Sequence, residues 1–599
     1  MSDIPHYEKP EHEQAYYKSL KELLDHYEDG WNFLINAHKE KNYDYPLKLK
    51  EEHKDNPYLP KTWLELCDRV CQIIAKEKYE LDVYPNEIQI IRSDQMLDAY
   101  TTNGVPGSYS HWSFGKSRLR EERNYDQTKH LAYEIVINSN ACVSYCMDTN
   151  SPLLQLIVIA HAAYGHNAVF KNNAFLKEVG ADTIIPENSR MREFIFECEE
   201  KYGWKEVSDF LDFCHAMKYV DVTDQPKRDP KTKEQILAEQ RALKIAQEFA
   251  PKPRDQFNDN ANDNKKKMLH PQAGEKNILL YMADNAPHLP QWKRDIMRHV
   301  SRVSQYFRPQ MMTKVLNEGM ATFIHDRTMQ TLADIGMIDF GMLAEYKKIN
   351  HGVLFQQPAV VYERDEKGQI IRDENGFPEQ KFVGADFNPY MLGFSILEDV
   401  VRICKDPTDE DREWFHFAGN PNWLPIVKHA IFNSFDETYI EQYLSPKVMR
   451  DLRMFTLGMA EDQDLDEEER MMKKYYDIDY AMIKDVQTQD GFRKIRAQLA
   501  RDNRITEKLP SVAFANYQEM TDRCLILHHH VLNDQRLDPQ DTQLVLELMH
   551  NQWKHPVVIE SIDEHGKVLQ TFSSPQNYDY KRFSYTPQDM GMDISVNHP

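Results

Sequence analysis

The sequence has few positive charges for its size. Its 599 residues include 73 Lys and Arg against 96 Asp and Glu, which gives a net charge of −23. Proteins that bind nucleic acids or anionic membranes use Lys and Arg to neutralise phosphate groups. This charge balance disfavours DNA, RNA and anionic membranes as general partners, so we expect no nucleic-acid partner.

The sequence also lacks an apolar run long enough to cross a bilayer, which takes about 20 residues. Its first residues, MSDIPHYEKPEHEQ, lack the basic flank and the apolar segment of a secretory signal. We therefore expect a cytoplasmic protein without membrane insertion.

Cysteine is scarce as well, with eight residues in the chain. Cys67 and Cys71, and likewise Cys142 and Cys146, are separated by three residues rather than the two of a zinc knuckle. This spacing favours helix neighbours or buried thiols, and a cytoplasmic setting argues against disulfides.

The length and the periodic patterns predict the fold class and the domains. A chain of this size is expected to hold two or more domains, or one large body with appendages. Helical periodicity dominates, so we predict an α+β fold that is predominantly helical, with a short mixed sheet. The predicted regions are an N-terminal helical region with a strand and a histidine-bearing helix at 1–224, a flexible insertion at 225–274, a helical domain at 275–455, a small α+β C-terminal domain at 456–575 and a loose tail at 576–599.

The most informative stretch is LLQLIVIAHAAYGHNAVFKNN, residues 153–173. Its first half is almost entirely apolar, which predicts a buried helix with Ser151-Pro152 as its N-cap and first turn. The helix carries His161 and His166, which point about 140° apart on a straight α-helix. The two imidazoles converge only through a π-type bulge or a helix end at Gly165.

A second informative stretch is MMTKVLNEGMATFIHDRTMQTLADIG, which predicts a helix with Glu318, Ala321, Thr322 and His325 on one face. Ala321 and Thr322 are small, so this face can approach another helix closely. A buried Glu318 would be costly without a cation, an imidazole or a metal. His325 lies about 10.5 Å further along the helix axis than Glu318, so we do not expect both to bind one ion.

Two segments resemble the zinc site of gluzincin aminopeptidases. LNEGMATF resembles the segment that supplies their glutamate ligand, and AHAAYGHN resembles their HExxH helix with one residue added. The resemblance implies a zincin-like helical core in which His161, His166 and Glu318 hold Zn²⁺ and leave one position for water. Ala162 stands where that motif has its catalytic glutamate, so the usual general base is missing. The same donor set also suits Fe²⁺.

Other residues are candidates for the catalytic work that Ala162 cannot do. Glu134, on a strand predicted at Tyr133–Asn138, and Glu197 are candidate bases, and Tyr164 is a candidate oxyanion partner. Further cleft candidates, from polar loops and from positions beside the motifs, are His111, Lys116, Asn167, Lys171, Asn172, His215, Asn317, Thr322, His325 and His351.

Longer motifs carry a second resemblance, which spans roughly residues 16–560. The runs HWSFGKS, YEIVINSN, QLIVIAHAAYGHNAVFKNN, RPQMMTKVLNEGMATFIH, NPYMLGFSI, YLSPKVMRDLR, GFRKIR and LILHHH resemble the SpoVR family, the stage V sporulation protein R and its relatives. The resemblance implies a link to the spore cortex, a peptidoglycan layer, or to stress and stationary phase. It also implies a PrkA-like serine kinase and a von Willebrand-type companion protein as partners, but no particular reaction.

Three interpretations of the histidines and Glu318 follow. The first is a metal-dependent hydrolase that acts on an amide bond, with a peptide or a peptidoglycan precursor as its substrate. The second is a non-enzymatic regulator with a zincin-like fold that acts with the kinase. The third is a buried hydrogen-bonded cluster that holds no metal.

Overall fold

Helices make up most of the described chain in a computed structural model of the protein, and the predicted α+β, predominantly helical class is confirmed. The structure describes residues 10–40, 44–101, 105, 108–109, 111–113, 134–218, 277–356, 360–362, 380–382, 387–459, 470–471, 481–484, 488–505, 509–517, 523–532, 535–563 and 565–579. The predicted insertion at 225–274, most of the predicted tail and Lys116 lie outside these residues.

The α-helices span Pro10–Asp25, Asn32–Glu40, Trp63–Ile73, Ser93–Thr101, Pro152–Ile159, Asn167–Asn172, Ile184–Tyr202, Trp204–Met217, Ile278–Asn285, Gln291–Met312, Lys314–Asp334, Phe340–Val353, Pro389–Lys405, Asp409–Trp414, Trp423–Phe432, Asp436–Tyr443, Pro446–Asp451, Gln489–Asp502 and Pro539–Trp553. The described chain also contains π-helical segments at Ile74–Lys78 and Ala160–His166 and a 3₁₀ turn at Glu51–His53.

The strands are β1 (Asn86–Ile91), β2 (Glu134–Ile137), β3 (Cys142–Met147), β4 (Val360–Tyr362), β5 (Gln380–Phe382), β6 (Thr456–Met459), β7 (Ala481–Lys484), β8 (Ser511–Tyr517), β9 (Leu525–His530), β10 (Val557–Ile562) and β11 (Val568–Ser574). A mixed sheet has the order β1-β3-β2, in which β1 is parallel and β2 antiparallel to β3. A four-stranded sheet has the order β11-β10-β9-β8, and β4 pairs with β5 and β6 with β7.

The chain forms two compact units, and each combines stretches that are distant in sequence. The first unit contains Met1–Glu200 and Tyr306–Glu507, and the second contains Lys201–Gln305 and Lys508–Pro599. Within the second unit, the four-stranded sheet packs against the helix Pro539–Trp553. The Trp553 indole donates a hydrogen bond to a backbone carbonyl just before β9, which anchors that helix to the sheet.

In the first unit, the predicted buried helix runs without a break from Pro152 to Asn172, and we call it the histidine helix. The Ser151 hydroxyl accepts a hydrogen bond from the Leu154 backbone N–H, so the Ser-Pro start is confirmed. Among the described residues, this helix alone is long and apolar enough to cross a membrane by length and composition. However, 94% of its most apolar 18-residue stretch is buried inside the protein, which is compatible with a soluble protein.

The helix Lys314–Asp334, which we call the carboxylate helix, packs directly on the histidine helix. A Cβ atom placed on Gly165 would lie 2.5 Å from Ala321 Cα, so the two backbones touch at this point. This contact is the close approach that the small residues on the carboxylate helix predict. The helix begins under a cap supplied by another segment, because the Asp436 carboxylate accepts hydrogen bonds from the Val315 and Leu316 backbone N–H groups.

Candidate metal centre

A π-helical segment, Ala160–His166, brings the two histidines of the histidine helix together. In a π-helix, backbone hydrogen bonds join residues five apart, so the side chain of residue i+5 lies near that of residue i. The rings of His161 and His166 accordingly have centroids 4.7 Å apart and meet edge to face. The bulge that convergence requires is therefore present. The helix does not end at Gly165, whose missing side chain instead admits the backbone of Ala321.

Glu318 reaches both imidazoles from the carboxylate helix. Its Oε2 lies 3.7 Å from His161 Nε2 and 3.4 Å from His166 Nε2. The three ligand atoms all lie within 4.8 Å of one another, and we call these three residues the ligand triad. Tetrahedral Zn²⁺ with bonds of about 2.1 Å separates neighbouring ligand atoms by about 3.4 Å. The distances to Glu318 are close to that value.

The triad contains buried polar atoms without hydrogen bonds. His161 Nε2 and Glu318 Oε2 are shielded from solvent and form no hydrogen bond of good geometry with any described residue. A buried acceptor left unpaired costs about 1–3 kcal/mol, and more when it is charged. A divalent cation between these atoms would satisfy them together. The donors present therefore fit Zn²⁺ or Fe²⁺, the ions that imidazole and carboxylate ligands accommodate.

Each imidazole is held from behind by a partner on another helix. His166 Nδ1 lies 2.9 Å from Asn317 Oδ1, and His161 Nδ1 lies 3.0 Å from His325 Nδ1. The opposite nitrogen of His325, Nε2, lies 3.0 Å from Asn350 Oδ1. Such second contacts orient metal-binding histidines and set which nitrogen carries the proton. Both Nε2 atoms are thereby directed towards Glu318.

Burial and neighbouring charges perturb the pKa values of the cluster. Burial would raise the pKa of Glu318, but His166 and His161 outweigh it and hold that pKa well below its ordinary value. Burial would lower the pKa of His166, but Glu318 outweighs it and raises that pKa. Burial, aided by His161, lowers the pKa of His325 to about 3. The cluster thus favours an ionised Glu318 and a neutral His325.

Glu134 joins the cluster from β2. Its Oε1 lies 3.7 Å from His161 Nε2, and its side chain is mostly buried. Burial raises the pKa of Glu134, although the nearby His161 and His166 act in the opposite direction. A carboxylate beside the ligand triad with a raised pKa has the properties of a proton acceptor. The strand β2, Glu134–Ile137, lies within the predicted range Tyr133–Asn138 and positions this side chain, whereas Tyr133 lies outside the described residues.

Two other catalytic candidates have different surroundings. The Tyr164 hydroxyl donates a hydrogen bond to Asp68 Oδ1 over 2.7 Å, and its pKa is raised by burial and by that carboxylate. Glu197 is exposed on the helix Ile184–Tyr202. No contact among the described residues joins either side chain to the ligand triad.

The cleft candidates divide into three groups. Asn317 and His325 contact the triad histidines, and Thr322 is fully buried with a hydroxyl that has no hydrogen-bond partner among the described residues. A second group of candidates hydrogen-bonds the end of the histidine helix to the segment 82–86: Asn167, Lys171 and Asn172. The others are His111, which contacts Ser113, the exposed His351, and His215, which belongs to the second unit.

Asn350 and Tyr390 are site residues that the sequence did not reveal. Asn350 bonds His325, and the Tyr390 ring stacks on His161 with centroids 6.0 Å apart. Neither residue lies in a local pattern that points to the cluster. Tyr390 follows Asn388 and Pro389, the N-cap and the first residue of its helix, but a helix start does not indicate what the helix packs against.

The fold and the site define a class: a predominantly helical α+β protein with a buried two-histidine, one-glutamate centre. Residues 61–507 match the family model described as "SpoVR like protein", and residues 510–564 match "SpoVR-like C-terminal domain". The chain therefore belongs to the SpoVR family, and its ligand triad lies within the larger match. It is 35% identical over 514 residues to "Uncharacterized protein YcgB" of Escherichia coli (strain K12), covering 84% of this chain and 92% of that protein. No solved structure matches.

Proposed function

We propose that this SpoVR-family protein is a metal-dependent hydrolase of amide bonds, with its metal held by His161, His166 and Glu318. The observation that carries the proposal is a pair of buried atoms, His161 Nε2 and Glu318 Oε2, that form no hydrogen bond within the described part of the chain and lie close to a third potential ligand atom on His166. Zn²⁺ is the first candidate and Fe²⁺ the second. A bound Zn²⁺ would supply Lewis acidity and lower the pKa of a water molecule.

The protein itself would supply orientation and proton transfer. Asn317 and His325 hold the imidazoles from behind, so the ligand atoms are in place before substrate arrives. Glu134 would accept the proton of the attacking water and return it to the leaving nitrogen, which is the role that Ala162 cannot fill. Its mostly buried carboxylate, beside His161, supports that assignment.

The substrate and the cellular setting rest on the family resemblance. We place the substrate among peptide or peptidoglycan-precursor amides in the cytoplasm, in the context of spore cortex formation or stress and stationary-phase physiology. The resemblance also supports a PrkA-like serine kinase and a von Willebrand-type companion as partners. The zincin-like character of the core belongs to the same proposal.

Elemental analysis tests the metal site first. The purified protein should contain close to one equivalent of zinc or iron, and both His161→Ala and Glu318→Ala should lose it while remaining folded by circular dichroism. A matched control is His416→Ala, which removes an exposed histidine outside the cluster. Folded wild-type protein that takes up neither metal would end the proposal and would favour a metal-free cluster.

Glu134→Gln then tests the chemistry. The glutamine keeps the size of the side chain but cannot accept a proton, so the variant should retain its metal and lose about 10²–10⁴-fold in hydrolysis rate. The probes are an unstructured polypeptide and a muramoyl pentapeptide, with release of free amine as the readout. Equal rates for the variant and the wild type would remove Glu134 from the mechanism.

A second candidate function is a non-enzymatic regulator that acts with the kinase. It is favoured by Ala162, a buried residue where zincins have their catalytic glutamate. This candidate predicts that metal-loaded wild-type protein cleaves neither probe, whereas loss of the metal abolishes its association with the kinase. Hydrolysis that is abolished by Glu134→Gln would decide for the enzyme.

A further inference from the structure

We propose that His325, held by Asn350, is a positioning residue that fixes the tautomer of His161 and keeps the lone pair of His161 Nε2 turned towards Glu318. The inference about tautomers stands on hydrogen-bond geometry alone. Its consequence for metal affinity rests on the proposed function. His325 lies on the face of the carboxylate helix that carries Glu318, but its role differs from that of a ligand.

The direction of each hydrogen bond follows from Asn350, the last residue in the series of contacts that begins at His161. Asn350 Oδ1 can only accept a hydrogen bond, so His325 Nε2, 3.0 Å away, carries a proton. A neutral imidazole has one N–H, so His325 Nδ1 is an acceptor. The atom that faces it at 3.0 Å is His161 Nδ1, which must therefore be the donor. In a neutral His161, Nε2 is then left with a lone pair.

We call the hydrogen-bonded series Asn350, His325 and His161 the relay. Its surroundings prevent either imidazole ring from turning over. His161, His325 and Asn350 are all buried and come from three different helices. The ring of Tyr390 stacks on His161, and the ring of Tyr346 meets His325 edge to face with centroids 6.1 Å apart. A half-turn of either imidazole would have to displace these neighbours.

Both nitrogens of His325 are engaged, which separates it from the ligands. One faces Asn350 and the other faces His161, so neither is directed at the point where the triad converges. His166 has a shorter arrangement, in which Asn317 Oδ1 contacts its Nδ1 directly. The two imidazoles thus present the same nitrogen to Glu318 through different supports. Loss of either support should reduce metal affinity without removing a ligand.

Metal titration of full-length variants tests the role. Zn²⁺ affinity is measured by competition with a chromophoric chelator, and the visible spectrum of the Co²⁺ form reports ligand geometry. His325→Phe removes the acceptor and should weaken binding about 10–100-fold and alter the Co²⁺ spectrum. His325→Gln restores an acceptor oxygen and should recover most of that loss. A folded phenylalanine variant with an affinity within about twofold of wild type would overturn the role in metal binding.

Asn350 provides a second pair of variants if the phenylalanine protein does not fold. Asn350→Leu leaves His325 Nε2 without an acceptor and should weaken Zn²⁺ binding, whereas Asn350→Gln keeps a neutral amide acceptor and should retain most of the affinity. Equal affinities in these two variants would contradict the relay. His416→Phe is the control for the loss of a histidine away from the cluster.

The tautomer itself can be read without any metal. Metal-free protein labelled with ¹⁵N-histidine, with His161 assigned from the missing signals of His161→Gln, should show His161 protonated at Nδ1 and bare at Nε2. His325→Phe should mix the two tautomers. A neutral wild-type His161 that is protonated at Nε2 and bare at Nδ1 would overturn the relay. If the tautomer is as stated but the wild type binds no metal, the proposed function fails and the relay stands.

Discussion

Replacing Gly165 with alanine tests the helix contact on which the ligand triad depends. Gly165 lies in the π-helical segment, one position before His166, and opposite the backbone of the carboxylate helix. An added Cβ would lie 2.5 Å from Ala321 Cα and 2.9 Å from Ala321 Cβ. Carbon atoms in contact are separated by about 3.5–4.0 Å, so the two helices would have to separate by about 1 Å.

The size of the effect follows from that displacement. Overpacking of this kind costs about 1–3 kcal/mol. The better helix propensity of alanine returns up to about 1 kcal/mol, so we expect a net loss of about 1–2 kcal/mol in the free energy of unfolding. Glu318 lies within one turn of Ala321 and would move by a similar distance. Metal sites tolerate shifts of about 0.2 Å, so metal affinity should fall at least about tenfold.

Urea denaturation and Zn²⁺ competition titration measure the two losses on the same preparation. Gly352→Ala is the matched control, because among the described residues no atom beyond its chain neighbours and its own helix backbone lies within 4 Å of an added Cβ there. The stability of this variant should be unchanged or slightly higher. If Gly165→Ala unfolds at the wild-type urea concentration and binds Zn²⁺ as the wild type does, the two helices can separate without loss. The argument from close contact would then be refuted.

Three further predictions concern capping, pH and metal removal. Asp436→Ala removes the cap of the carboxylate helix and should cost about 2 kcal/mol in urea denaturation, whereas asparagine should retain part of it. Burial opposes ionisation of Asp411, but hydrogen bonds from Arg402 outweigh it and lower its pKa. The contribution of ionised Asp411 to the free energy of unfolding is therefore full above its unfolded pKa of about 4 and is lost as pH falls through its folded pKa. The difference in stability between wild type and Asp411→Asn should accordingly narrow below about pH 4, as measured by urea denaturation. A chelator should lower the melting temperature of wild type in calorimetry, but not that of Glu318→Ala.

Local signals predicted the elements of the fold well. Ser151-Pro152 and Asn388-Pro389 each start a helix, because a capping side chain and a proline act within one turn. The strand β2 and the helix Pro539–Trp553 were also predictable. The spacing of apolar residues and the preference of each residue type for strand or helix can both be read from a short stretch of sequence. The two-unit arrangement has no such signal, because each unit joins stretches separated by long intervals of chain.

The candidate site was predictable only in part. Residue type and spacing single out His161, His166 and Glu318, and the i, i+5 spacing itself indicates the need for a π-type distortion. The same residues could have remained apart. The sequence did not reveal that His325 supports His161, and it gave no indication of Asn350 at all. Both contacts depend on which helix faces meet, and no short stretch of sequence contains that information.

The amino-acid sequence by itself determined which side chains can bind a metal, that the histidine helix is buried, and that Ala162 cannot serve as a base. Those properties depend on chemical identity and on the pattern of near neighbours. Tertiary structure decided that one glutamate meets two imidazoles, and that a second histidine supports the first from behind. Those contacts exist because Gly165 and Ala321 let two helix backbones touch, which places side chains from distant parts of the chain within a few ångströms of one another.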